Sequence, residues 1–145
     1  MSEVDPYNED SYHSVTVQST LSEAKKPEKQ ILDELKRCGY DDDSIFAVKL
    51  ALEEAMTNAV RHGNRGDSTK HIHVRYAITP DIAVICVRDE GCGFCPEQVP
   101  DPTCPDRIAL PSGRGIMLIN AYMNEVEYRA DGCEVRMVKH NSNKN

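Results

Sequence analysis

The residues best suited to chemistry fall on one stretch, Ser44 to Asn64, which reads SIFAVKLALEEAMTNAVRHGN. On a helix, positions four apart lie about 40° from each other, so Glu54 and Asn58 project side by side. Ala47 and Ala51 extend that stripe upstream and His62 extends it downstream. Small residues beside a carboxylate and a carboxamide suit a helix face that something approaches closely; a solvated outer face is the plain alternative. Glu53 diverges from Asn58 and reads as the solvated member of the Glu53-Glu54 pair. A second island, Asp89-Glu90-Gly91-Cys92-Gly93-Phe94, follows an apolar run, and a third, Ser112-Gly113-Arg114-Gly115-Ile116, opens a helical pattern. Gly91 and Gly93 permit positive φ and close backbone approach. A helix entered through Gly113 and Gly115 presents free N–H groups and a favourable dipole to phosphate.

Metal and redox chemistry are less well supported. Six cysteines are present, but Cys38 closes a helix and Cys86 sits in an apolar strand, where cysteine acts as a small hydrophobe. Cys92 and Cys95 form a C-x-x-C with Cys104 beyond it, yet no second C-x-x-C or H-x-x-x-H completes a zinc set. His71 and His73 share a strand face and form another candidate pair. Free thiols are the default, with a redox role for Cys92 and Cys95 left open. The balance of 17 Lys and Arg against 24 Asp and Glu, net −7, argues against non-specific nucleic-acid binding. No apolar run approaches the roughly 18 residues of a membrane span. The polar, acidic start MSEVDPYNEDSYHS has no secretory signal pattern, so a cytoplasmic location is expected.

These residues need a scaffold, and the pattern supplies one domain over residues 11–140, with flexible tails at 1–10 and 141–145. Tyr12–Gln18 reads as a strand, and Pro27–Cys38 as a helix with Pro at its start, Ile31, Leu32 and Leu35 inward, and Gly39 as its stop. The next helix covers Ser44–His62, capped by Asp41, Asp42 or Asp43, with Ile45, Val48, Leu52, Ala55 and Ala59 toward the core and Gly63 as a stop. His71–Ile78 alternates, with Ile72, Val74, Tyr76 and Ile78 inward and His71, His73, Arg75 and Ala77 outward. Thr79-Pro80-Asp81 turns the chain into a buried strand, Ile82–Asp89. Gly91–Pro111 lacks periodicity, and a loop of that length in one domain is usually functional. Ile116–Met123 is a short helix, and Asp131-Gly132 joins strands Val126–Ala130 and Cys133–Val138 as a hairpin. The order β, α, α, β, β, loop, α, β, β predicts an α/β two-layer sandwich of the α+β kind. Its mixed sheet is mostly antiparallel, with helices on one face.

The three islands in this order, with a long loop between the second and third, resemble the N, G1 and G2 boxes of the GHKL ATPases: gyrase, Hsp90, bacterial histidine kinases and MutL. The resemblance covers roughly Asp43 to His140. EEAMTNAVRHGN, DEGCGF and SGRGIMLINAYMNEVEY look most like the free-standing serine kinases that act as anti-sigma factors, and the chain's length leaves no room for a phosphoacceptor helix or a transducer domain. The resemblance implies that Asn58 coordinates Mg²⁺ through its amide oxygen and that Asp89 accepts a hydrogen bond from the adenine amino group of ATP. Gly91 and Gly93 would let the backbone close around the base, and 95–111 would be the lid. Gly113, Arg114 and Gly115 would line the triphosphate, with His62 among the nucleotide-contacting residues; Arg114 pairs with a phosphate or serves a protein partner. Glu54 would be the general base for a seryl hydroxyl. By the same resemblance the partners are a sigma factor, a small antagonist protein and a second copy of the chain. The rival reading is a nucleotide-gated binding module with little phosphotransfer.

Overall fold

A computed structural model describes residues 4–91, 119–129 and 133–141. Its elements are β1 (His13–Gln18), α1 (Leu21–Arg37), α2 (Asp42–Asn58), a π-helical turn (Ala59–Gly63), β2 (His71–Ile78), β3 (Ile82–Arg88), β4 (Glu125–Arg129) and β5 (Glu134–His140). Residues 119–122 are helical, within the short helix expected at 116–123. The five strands form one sheet in the order β1-β2-β3-β5-β4, and each neighbouring pair is antiparallel. The α+β architecture expected from the sequence is therefore the one observed.

Alternation decides which face each strand buries. Ile72, Val74, Tyr76 and Ile78 of β2, Ala83, Ile85 and Val87 of β3, and Val135 and Met137 of β5 share one core with both helices. From α1 that core receives Ile31 and Leu35, and from α2 it receives Val48, Leu52 and Ala55. Ala47 and Ala51 are buried as well, so what approaches the upstream part of the Glu54 stripe is the protein itself. In the β4–β5 pair, Arg129 lies opposite Glu134, the register that a two-residue turn at Asp131-Gly132 requires; those two residues lie outside the described ones.

The first helix corrects a boundary. It starts at Leu21 because Thr20 caps it, its Oγ1 accepting from the Glu23 N–H at 3.1 Å. Pro27 is therefore interior rather than initial. Its missing N–H leaves only the Glu23 carbonyl without the usual partner. The second helix is capped by Asp41, which accepts from Ser44 N–H at 2.8 Å. It gives way at Asn58 to the π turn, and Asn64 closes that turn by donating to the Ala59 carbonyl at 2.8 Å.

Residues 4–10 also differ from expectation, because they do not stand apart as a tail. Tyr12 is buried with Ala77, Ile82, Val84, Cys86 and Val138 on the sheet face opposite the helices, with Val4 packed against them. The Tyr12 hydroxyl donates to the Pro6 carbonyl. Glu9 pairs with Arg129 at 2.7 Å and with Arg75 at 3.0 Å. Coverage of both faces explains why Ile82–Val87 is buried at every position; the same coverage hides Ala77, placed outward by its alternation.

Candidate nucleotide site

The site is built where α2 ends and β3 ends. Glu54 and Asn58 are half-buried one turn apart on α2. Among the described residues no hydrogen bond engages either side chain. The Glu54 carboxylate faces β4, where burial first and this negative charge second push the Tyr128 phenol up. Beyond Asn58 the helix widens into the π turn, a local device common at functional sites. His62 lies half-buried within that turn, displaced around the axis from where an uninterrupted α-helix would carry it.

The turn delivers Gly63 directly beneath Asp89. A Cβ on Gly63 would lie 2.1 Å from Asp89 Oδ2 and 2.3 Å from its Cγ. A Cβ on Gly91 would lie 1.6 Å from the Gly63 carbonyl oxygen. Neither glycine has positive φ; among the described glycines only Gly39 and Gly66 do. What both positions require is space, so Gly63 is a packing surface for Asp89 and not merely a helix stop. The Asp89 N–H donates to the Cys133 carbonyl at 2.9 Å, continuing the β3–β5 pairing by one residue. Its Oδ1 accepts from Gly91 N–H at 2.9 Å. Burial raises the Asp89 carboxyl above its ordinary range, opposed by that N–H and by Arg88 and Lys70. A carboxylate in such surroundings makes strong, selective hydrogen bonds, since the medium screens them weakly.

Asn64, which sequence reasoning placed beside the site without a role, is fully buried. Its Oδ1 accepts from Glu90 N–H at 2.8 Å, and its Nδ2 donates to Ser19 Oγ at 2.9 Å and the His71 carbonyl at 3.1 Å. Glu90 turns outward: its Oε1 accepts from His71 N–H at 2.9 Å and its Oε2 lies 2.7 Å from His73 Nε2. The two histidines thus engage a carboxylate, and among the described residues no group of three or more His, Cys, Asp and Glu could hold a metal ion. Gly93, Gly113, Arg114, Gly115, the lid at 95–111 and the Cys92/Cys95 pair all lie outside the described residues. Glu53 does diverge from Asn58, but it faces α1 rather than open solvent. It pairs with Lys25 at 3.4 Å and Lys49 at 3.2 Å, beside a cleft between the two helices.

The arrangement thus sets a carboxylate packed between two glycines beside a helix bearing a carboxylate and a carboxamide. A family model described as a histidine kinase-like ATPase domain matches residues 17–139. The chain belongs to that family. Among its relatives is the serine-protein kinase RsbW of Bacillus licheniformis, 33% identical over 110 residues, covering 71% of this chain and 69% of the relative. RsbW of Listeria monocytogenes serotype 4a is 31% identical over 134 residues, covering 83% of this chain and 85% of the relative. The crystal structure of the RsbU and RsbW domains of Rv1364c from Mycobacterium tuberculosis superposes with a TM-score of 0.60 at 21% identity, covering 89% of this chain and 31% of that one. That last likeness establishes the fold. Among the described residues no helix is long and apolar enough to cross a membrane.

Proposed function

We propose that this histidine kinase-like ATPase is an anti-sigma serine-protein kinase that transfers the γ-phosphate of ATP to a serine of a small antagonist protein. The observation that carries the reading is the seat of Asp89, a half-buried carboxylate held between Gly63 and Gly91 at the foot of α2. In this reading Asp89 accepts from the adenine amino group. Guanine offers a carbonyl oxygen there, which a carboxylate repels. Gly91 and Gly93 give the base a flat backbone wall, while His62, Gly113, Arg114 and Gly115 serve the phosphates under a lid at 95–111.

Asn58 suits Mg²⁺, because its carboxamide is half-buried, uncharged and, among the described residues, not engaged in a hydrogen bond. Bound there, the cation would offset charge on the phosphates. Glu54, one turn away, would accept or orient the seryl hydroxyl proton. Partner switching between a sigma factor and the antagonist, a homodimeric assembly and a cytoplasmic setting complete the proposal; relatives named as serine-protein kinases support the kinase part of it.

Glu54→Gln keeps shape and removes the basic oxygen. Phosphotransfer to an antagonist should fall roughly 10²–10⁴-fold with Mg-ATP binding nearly unchanged, since a base supplies only part of the acceleration. Glu53→Gln should leave transfer as it is. Undiminished transfer by the Glu54 variant removes it as the base. Tight ATP binding by the unaltered protein, with no transfer to any antagonist, favours the nucleotide-gated binding module.

A further inference from the structure

We propose that Asn64 is the positioning residue that sets base selectivity, by fixing the Asp89–Gly91 turn against Gly63. The inference rests on the reading of Asp89 as the adenine acceptor. Asn64 adjoins Gly63 in the chain, and Glu90 adjoins both Asp89 and Gly91. The single bond from Glu90 N–H to Asn64 Oδ1, 2.8 Å long, therefore clamps together the two segments whose close approach forms the recess.

The orientation of the amide is forced. Glu90 N–H can only donate and the His71 carbonyl can only accept, so Oδ1 must face the first and Nδ2 the second. The remaining Nδ2 proton meets Ser19 Oγ. Asn64 N–H closes the π turn on Ala59, and the Asn64 carbonyl accepts from Asp67 N–H at 2.9 Å. Every part of the residue thus ties a different segment: the end of β1, the π turn, the entry to β2 and the Asp89 turn. Asn64 has no exposed surface, so loss of its side chain leaves the Glu90 N–H and the His71 carbonyl without their partner. With the clamp gone, the turn can lift from Gly63 and carry the Asp89 carboxylate away from its place.

Base selectivity separates positioning from mere stability. Inosine triphosphate carries a carbonyl oxygen where ATP carries the amino group and keeps the same phosphates. Calorimetric titration of the unaltered protein with the two nucleotides should give ATP at least tenfold the affinity. Equal affinities would overturn the Asp89 reading itself, and this inference with it. Given that preference, Asn64→Ala should lower it at least fivefold while changing inosine triphosphate affinity less than twofold. In an Asp89→Asn background the same change should cost ATP nothing further. A variant that keeps the parent's preference, however much its melting temperature falls, assigns Asn64 a structural role only and overturns the proposal.

Asn64→Ser, which retains a short hydroxyl, stands in should the alanine variant not fold. Independently of any variant, hydrogen exchange on the unaltered protein without nucleotide should find the Glu90 amide slow, because its acceptor is buried. Exchange at the rate of an exposed loop amide would overturn the clamp directly.

Discussion

At the scale of single residues, the strongest constraint on the site is the absence of a side chain. Gly63→Ala would place a methyl group 2.1 Å from Asp89 Oδ2, far inside contact distance, so either the carboxylate rotates away or the π turn shifts. Overpacking of this kind costs about 1–3 kcal/mol of stability. ATP affinity should fall roughly tenfold or more, because displacing the acceptor forfeits a charge-assisted bond of about 1.5–3 kcal/mol. Titration calorimetry beside thermal melting would report both, and an ATP affinity within twofold of the parent would remove Gly63 from the recess. The types and spacing of Glu54, Asn58 and Asp89 made their placement legible in the sequence, since helical phase and a strand-ending Asp-x-Gly are local patterns. Asn64 was not legible in its role: its partners Glu90 and Ser19 lie 26 and 45 positions away, and one buried amide leaves no periodic trace. Gly63 read as a stop signal because a glycine required for space looks, in sequence, like a glycine required for conformation.

At the scale of elements, most boundaries followed from alternation and caps, and the misplaced one has a clear cause. Pro27 looked like a first helical position, whereas Thr20 caps the helix seven residues earlier and the interior proline is accommodated. Glu28, the residue after that proline, packs against α2, where it is buried beside Glu53. Burial, then the hydrogen bond and charge of Glu53, push the Glu28 carboxyl up to about 7 from an ordinary 4.5. Glu53 moves the other way despite its burial, held low by the bond from Glu28 and by Lys49 and Lys25. Between pH 4.5 and 7 the folded protein thus retains a proton on Glu28 that the unfolded chain has released, and stability declines as pH rises through that window. Glu28→Gln removes this penalty. Because the opposing shift of Glu53 offsets part of it, the variant should gain about 1–2 kcal/mol over the parent at pH 8. The gain should shrink toward zero at pH 4.5, as urea unfolding at the two values would show. A difference independent of pH would mean that Glu28 ionises normally.

At the scale of the whole molecule, the sheet is covered on both sides by different means. Helices cover one face with a large apolar core, while residues 4–12 cover part of the other with Tyr12 and an ion network. Glu134, only 5% exposed, pairs with Arg75 at 3.0 Å and Arg129 at 3.2 Å, and Glu9 reaches down to the same two guanidinium groups. Sequence could not disclose this, because Glu9 and Arg129 are 120 positions apart and a polar, acidic start looks the same whether docked or loose. The bond from Arg129, against an opposing burial effect and with further help from both arginine charges, holds the Glu9 carboxyl at about 2, below its ordinary 4.5. A depressed carboxyl contributes stability that is fully present above pH 4.5 and is lost as pH falls through 2. The Glu9 side chain is 38% exposed, so solvent screening reduces the contribution to about 1 kcal/mol. Glu9→Gln should therefore unfold at lower urea than the parent at pH 7. The gap should narrow at pH 2.5, and also in 1 M salt, where screening acts within about 3 Å. Equal midpoints at pH 7 would mean that the segment is not anchored through Glu9, leaving Tyr12 and its apolar neighbours as the whole of its attachment to the sheet.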